Sequence, residues 1–156
     1  MNYELIMLRG ANRMKYEAVS ASKEIMNIAV TSYSTLNYKD GTLGQAEEIC
    51  RRAAERDHCL LFYNALMQGL RNVPKGNRAL LVAIYLKNAD KRGICAKYGV
   101  SLSTLYRKLS LSRAMLRSAL NALGYNEKWF RDNFGSVDWI AEASYPHSAV
   151  EVSAYC

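Results

Sequence analysis

Apolar positions along this chain recur at three-and-four spacing, the period of a helix face, and no plausible pair of strands stands out at the two-residue period. In MKYEAVSASKEIMNIAV (14–30), Val19, Ser22, Ile25, Met26 and Ala29 fall on one face and predict an amphipathic helix. TSYSTLNYKDGTLG (31–44) breaks the pattern with the loop chemistry of Asn37, Asp40, Gly41 and Gly44. Thr42 with Gln45 three residues on reads as a capping box opening a helix over about 44–70. Early acids (Glu47, Glu48) and later bases (Arg51, Arg52, Arg56) suit that helix's dipole and i,i+4 pairing.

Val73-Pro74 ends this helix, because the residue before proline is pushed out of the α region. Pro74 then suits the first turn of a helix over 76–87. Asp90 is a natural N-cap for KRGICAKY (91–98), Gly99 supplies the left-handed terminus, and Ser101 caps the longest convincing helix, 102 to about 122. Asn126 is placed to cap a short aromatic helix around Trp129, Phe130 and Phe134, and Ser136 another through Trp139. Beyond Ser144 the chain is weakly patterned and contains Pro146. The expected fold class is all-α, a helical bundle in three parts: an N-terminal helical segment (1–70), a central domain (71–123), and short aromatic helices with a loose tail (124–156). The aromatic cluster Trp129, Phe130, Phe134 and Trp139 is expected in the core.

Length and composition narrow the function classes. The 156 residues, half of them apolar, suffice for one good core or two small helical subdomains. The run LLVAIYL (80–86) is far short of the roughly 18 apolar residues that span a bilayer, and MNYELIMLRG lacks the marks of a secretory leader. A cytoplasmic protein with no membrane partner is expected. Cys50, Cys59, Cys95 and Cys156 are too widely spaced for a CxxC pair and read as buried or terminal thiols, with no metal and no cofactor. With only two histidines, and no Ser or Cys with a spaced His and a third partner to suggest catalysis, neither an enzyme nor a small-molecule substrate is expected.

Charge changes the picture by its distribution. Residues 1–70 carry eight basic and eight acidic side chains, and residues 122–156 come to −3. Residues 71–121 carry eleven basic side chains against Asp90 alone. A solvated helical surface normally intersperses both signs, so this block points to a polyanion-binding domain.

The block surrounds ICAKYGVSLSTLYRKL (94–109), where helix, Gly-led turn and second helix make a helix-turn-helix. Ile94, Cys95, Tyr98, Val100, Leu105 and Leu109 can converge on one small core, with Cys95 small enough for a close crossing. Ser103, Thr104, Arg107 and Lys108 are then left facing outward at the start of the second helix, where base edges are read in the major groove. Lys91, Arg92, Lys97, Ser101, Tyr106, Arg113 and Arg117 are the expected phosphate contacts, with Tyr106 equally suited to the core.

Residues 66–117 resemble the C-terminal, upstream-promoter-element-binding domain of bacterial sigma factors. LRNVPKGNR (70–78), LLVAIYLKNAD (80–90), ICAKYGVS (94–101), STLYRKL (103–109) and LR (116–117) follow that domain's order without a gap. Gly93, where the family usually has Glu, and Leu111, where a basic residue is common, depart from it. Residues 1–60 do not resemble the other sigma domain, so the likeness is to small sigma-like regulators of phage or prophage origin, including those of the autolysin-regulator type. The resemblance implies a transcription regulator whose partner is double-stranded DNA. RNA polymerase and a second copy of the chain are the further partners considered for the N-terminal helices and the aromatic cluster. The alternative is an interaction module that binds polymerase or another regulator without reading DNA.

Overall fold

The computed structural model describes residues 1–34 and 41–144, and these are all-α, with no strand among them. The helices are α1 (Tyr3–Ser34), α2 (Gly41–Arg71), α3 (Lys75–Leu81, continued by a π-helical turn over Val82–Leu86), α4 (Lys91–Tyr98), α5 (Leu102–Ala122), α6 (Glu127–Phe134) and α7 (Asp138–Ser144). The expected loose tail beyond Ser144 lies outside the described residues. No described helix is long and apolar enough to cross a membrane. The chain divides into two compact units. One comprises Met1–Arg9 with the chain from Gly69 onward, and the other is Gly10–Gln68.

The Gly10–Gln68 unit is an antiparallel pair formed by α1 and α2. Three cross-links set its register: Arg52 Nε reaches Glu24 Oε2 at 2.9 Å, Cys59 Sγ lies 3.9 Å from Glu17 Oε2, and Lys15 Nζ sits 5.8 Å over the Tyr63 ring. Glu48 pairs with Arg51 and Arg52 along α2, as the charge order predicts. The buried face of α1 in this unit is Ala11, Met14, Ala18 and Ala21, against Cys59, Phe62, Ala65 and Leu66 of α2.

This corrects the expected face of α1. Val19 and Met26 point to solvent, because Ala18 takes the inward position and one residue turns a helix by about 100°. The small side chains of Ala11, Ala18 and Ala21 lie on the buried face, and the bulkier stripe is turned away from it. Two further differences concern helix ends. α1 starts at Tyr3, well before the helix expected over 14–30, and residues 31–34 and 41–44 extend the helices into the expected loop.

The other unit is built around α5, whose buried residues Leu105, Leu109, Ser112, Leu116 and Leu120 recur at four-three-four-four spacing. α3 and α4 pack on this helix. Leu81 and Ile84 of α3 and its π-helical turn, Phe130 and Phe134 of α6, Ile140 of α7 and Tyr3 of α1 are all buried, so the two phenylalanines of the expected aromatic cluster belong to a core, while Trp129 and Trp139 are only partly buried. Asn126 caps α6 by accepting the Trp129 N–H at 2.9 Å. Ser136 does not cap α7; the Val137 carbonyl instead accepts the N–H groups of Ile140 and Ala141. The helix expected over 76–87 starts one residue earlier, with Pro74 as its N-cap, and changes to π-helical hydrogen bonding at Val82.

The end of α2 and α5 approach so closely that a Cβ on Gly69 would lie 2.6 Å from Leu120 Cδ2 and 2.9 Å from its Cγ. Leu120 is fully buried, so its side chain would have to shift within the core. Gly69→Val is expected to cost about 2 kcal/mol of stability by overpacking, read as a lowered midpoint in thermal or urea unfolding; an unchanged midpoint would show that the contact is loose.

Candidate nucleic-acid interface

Local chemistry sets the turn between α4 and α5. Asp90 Oδ2 accepts the Gly93 N–H at 2.8 Å and starts α4. Gly99 ends it at φ 62°, ψ 35°, a left-handed conformation that glycine adopts without the strain of a Cβ. Ser101 Oγ then accepts the Thr104 N–H at 3.2 Å and starts α5. Three residues therefore separate two capped helices.

Burying one face of α5 decides what the other presents. Leu105 and Leu109 point inward, which leaves Ser103, Arg107 and Ser110 on the opposite ridge, all exposed. Thr104, Lys108 and Leu111 follow one flank at helical spacing, and Tyr106, Arg113 and Arg117 the other. Thr104 is partly covered, and its Oγ1 accepts from Ser101 Oγ at 3.0 Å. The Ser101 hydroxyl is thus taken up by the cap and by Ser103, 2.9 Å away. What α5 offers a phosphate at this end is its first backbone N–H groups.

The bases on α4 reach the same surface. Lys91 Nζ stands 5.0 Å over the Tyr106 ring, tying the start of α4 to the flank of α5. Tyr106 is exposed, which decides between its two expected placements against the core. Arg92 and Lys97 are exposed. Tyr98, expected in the small core, is instead 67% exposed with Lys97 Nζ 5.5 Å over its ring. The exposed Leu102 and Leu111 complete a mixed basic and apolar surface that periodicity alone did not single out. Ile94, Cys95 and Val100 are partly buried.

The positive charge here is uncompensated. Of the eleven bases in 71–121, only Arg117 forms an ion pair among the described residues; the other pairs join side chains of 13–57 or 127–132, or the Met1 amino group to Glu127. Arg113 is partly buried, and its Nε has no hydrogen-bond partner among the described residues.

Arg117 differs from the rest of its set. Its guanidinium lies 3.8 Å from the buried Glu4 carboxylate, 3.3 Å from Glu127 Oε2, and 5.3 Å over the Tyr3 ring. Two carboxylates and an aromatic face hold it, so it fixes the first turn of α1 to α5 and α6. This tie spans the whole chain, which explains why no local pattern disclosed it.

Elsewhere in this unit, an open groove of about 550 Å³ beside α3 and α5, lined among others by Pro74, Met115, Ala119 and Leu123, contains no charged side chain. Among the described residues no three His, Cys, Asp or Glu side chains converge on one point. Cys50 is exposed, against the buried placement expected, whereas Cys59 is buried and Cys95 partly so. No family model, curated protein or solved structure matches this chain.

The Arg117 cluster has a pH signature. Burial pushes the Tyr3 phenol up to about 12; Arg117 pulls it down, while Glu4 and Glu127 push it further up. The phenol donates to Asn121 Oδ1 at 2.8 Å in its neutral form. An unfolded tyrosine ionises near pH 10. Stability from this group is therefore complete below about pH 10 and lost as pH rises toward about 12. Tyrosinate absorbance should show one late step near pH 12 that Tyr3→Phe removes; complete titration near pH 10 would contradict the burial.

Proposed function

We propose that the chain is a sequence-specific, double-stranded-DNA-binding transcription regulator acting in the cytoplasm, with α5 entering the major groove. The observation that carries the reading is the uncompensated basic surface on a pair of capped helices joined by a three-residue turn, with Arg107 on its outermost ridge. Arg107 and Ser103 read bases, flanked by Lys108 and Thr104, and Arg paired with guanine is the commonest such contact. Lys91, Arg92, Lys97, Arg113 and the first amides of α5 hold phosphates and set affinity through counterion release. Tyr106 joins them beside Lys91. Arg117 is left out of this set, because its charge is already spent on Glu4 and Glu127.

The sigma-like order of segments over 66–117 supports a promoter-region target, and the absence of likeness in 1–60 supports a small phage-type regulator over a complete sigma factor. One observation favours a second reading. Tyr98, Leu102 and Leu111 are exposed beside the basic ridge, as on a surface that docks onto RNA polymerase or another regulator.

Three variants separate these roles in duplex binding measured by fluorescence anisotropy across salt. Arg107→Ala should cost about 1–3 kcal/mol on the preferred sequence and relax base preference. Lys97→Ala should weaken all duplexes about equally and lower the salt slope by about one. Arg117→Ala should lower folding stability by roughly 1–3 kcal/mol through the stranded Glu4 carboxylate, yet leave the salt slope unchanged. If Arg107→Ala and Lys97→Ala bound specific and random duplex like the parent, the DNA reading would be wrong.

A further inference from the structure

The Gly10–Gln68 unit uses only one face of α1, and the opposite face carries a second apolar stripe. Tyr16, Val19, Met26 and Val30 are 73, 47, 67 and 65% exposed. With Lys23 they occupy positions 16, 19, 23, 26 and 30, an unbroken three-four repeat of the kind that forms a coiled-coil seam. The surface between them is concave: Val19, Ser22, Lys23 and Met26, with Asn27 at the edge, line a depression of about 340 Å³. Residues i, i+3, i+4 and i+7 are the four that form a hole for a side chain of a facing helix in knobs-into-holes packing. This stripe therefore has both the knobs and a hole for one.

We infer that this face of α1 is a homodimer interface, in which α1 packs antiparallel against α1 of a second copy about a two-fold axis near Lys23. Self-complementarity selects the occupant. A two-fold near position 23 sets Tyr16 level with the partner's Val30 and Val19 within about one residue of the level of the partner's Met26, so small faces large and the layers interdigitate. A parallel arrangement would set Tyr against Tyr and Met against Met. Area permits it: covering the four exposed side chains completely would remove on the order of 500 Å² per copy, so two copies reach at most about 1,000 Å², the lower bound for a specific interface. A two-helix unit with alanine at three of its four buried α1 positions also has little core of its own, and a four-helix dimer doubles it.

Lys23 gives the interface a distinctive electrostatic sign. The two-fold brings Lys23 near the partner's Lys23, a like-charge contact that fixes the register at a cost in affinity. Salt screens that repulsion, so dimerisation should tighten as ionic strength rises. DNA binding should weaken over the same range. This pairing does not depend on the DNA-binding reading, and the two can fail separately.

The test is sedimentation equilibrium of the full chain, without DNA, from low to high micromolar concentration at two salt concentrations. A monomer–dimer equilibrium is expected that tightens with salt. Met26→Glu should weaken it at least tenfold while leaving the helical circular dichroism unchanged, because Met26 is exposed in the single chain. Lys23→Leu should tighten it about tenfold. A chain that stays monomeric throughout, a dimer indifferent to Met26→Glu, or a dimer loosened by Lys23→Leu would overturn the inference.

Discussion

The buried seam of α5 is the constraint on which the basic surface depends. Leu105, Leu109, Leu116 and Leu120 must leave water together, and a straight helix has only one direction in which to hide them. α3 and α4 pack on this helix, and Gly69 admits Leu120 at its far end. Once that side is committed, helical geometry turns Ser103 and Arg107 outward. Arg117, held by Glu4, Glu127 and Tyr3, locks the other end of α5 in place. Packing thus fixes the orientation of a surface whose charged chemistry plays no part in the core.

The charge arrangement gives that surface its character. Basic side chains in α2 and α6 sit among glutamates and aspartates a turn away, where ion pairs neutralise them. Across 71–121 the carboxylates are missing, and the one that occurs, Asp90, is used as a helix cap. A field of one sign attracts polyanions over a distance set by the salt concentration. The tyrosines beside Lys91 and Lys97 place flat polar rings within the same surface.

Features governed by local rules were legible in the sequence. Asp90, Gly99, Ser101 and Asn126 act within three or four residues of themselves, and each stands where its side chain or backbone requirement predicts. What failed needed information from elsewhere in the chain. The inward face of α1 was misread because two apolar stripes run along that helix, and only the partner α2 decides that the alanine-rich one is buried. Tyr98, expected in the core of the turn, stands in solvent with Lys97 over its ring. Ser136 had the chemistry of a cap but not the position, and the π-helical turn at Val82 carries no sequence signature. Arg117 looked like its basic neighbours because Glu4, more than a hundred positions away, is what claims it. Nothing in the structure requires glycine at 93: a Cβ there would make only an ordinary contact with Asp90.

The central claim is that α5 reads DNA sequence through the ridge led by Arg107. Selection from a random duplex library at moderate salt, run in parallel with the parent chain and Arg107→Ala, tests it most directly. The parent should enrich a short conserved motif, and the variant should enrich the same motif with one position, a guanine in the parent, no longer specified. Enrichment of no motif by the parent, or of an unchanged motif by the variant, would contradict the account.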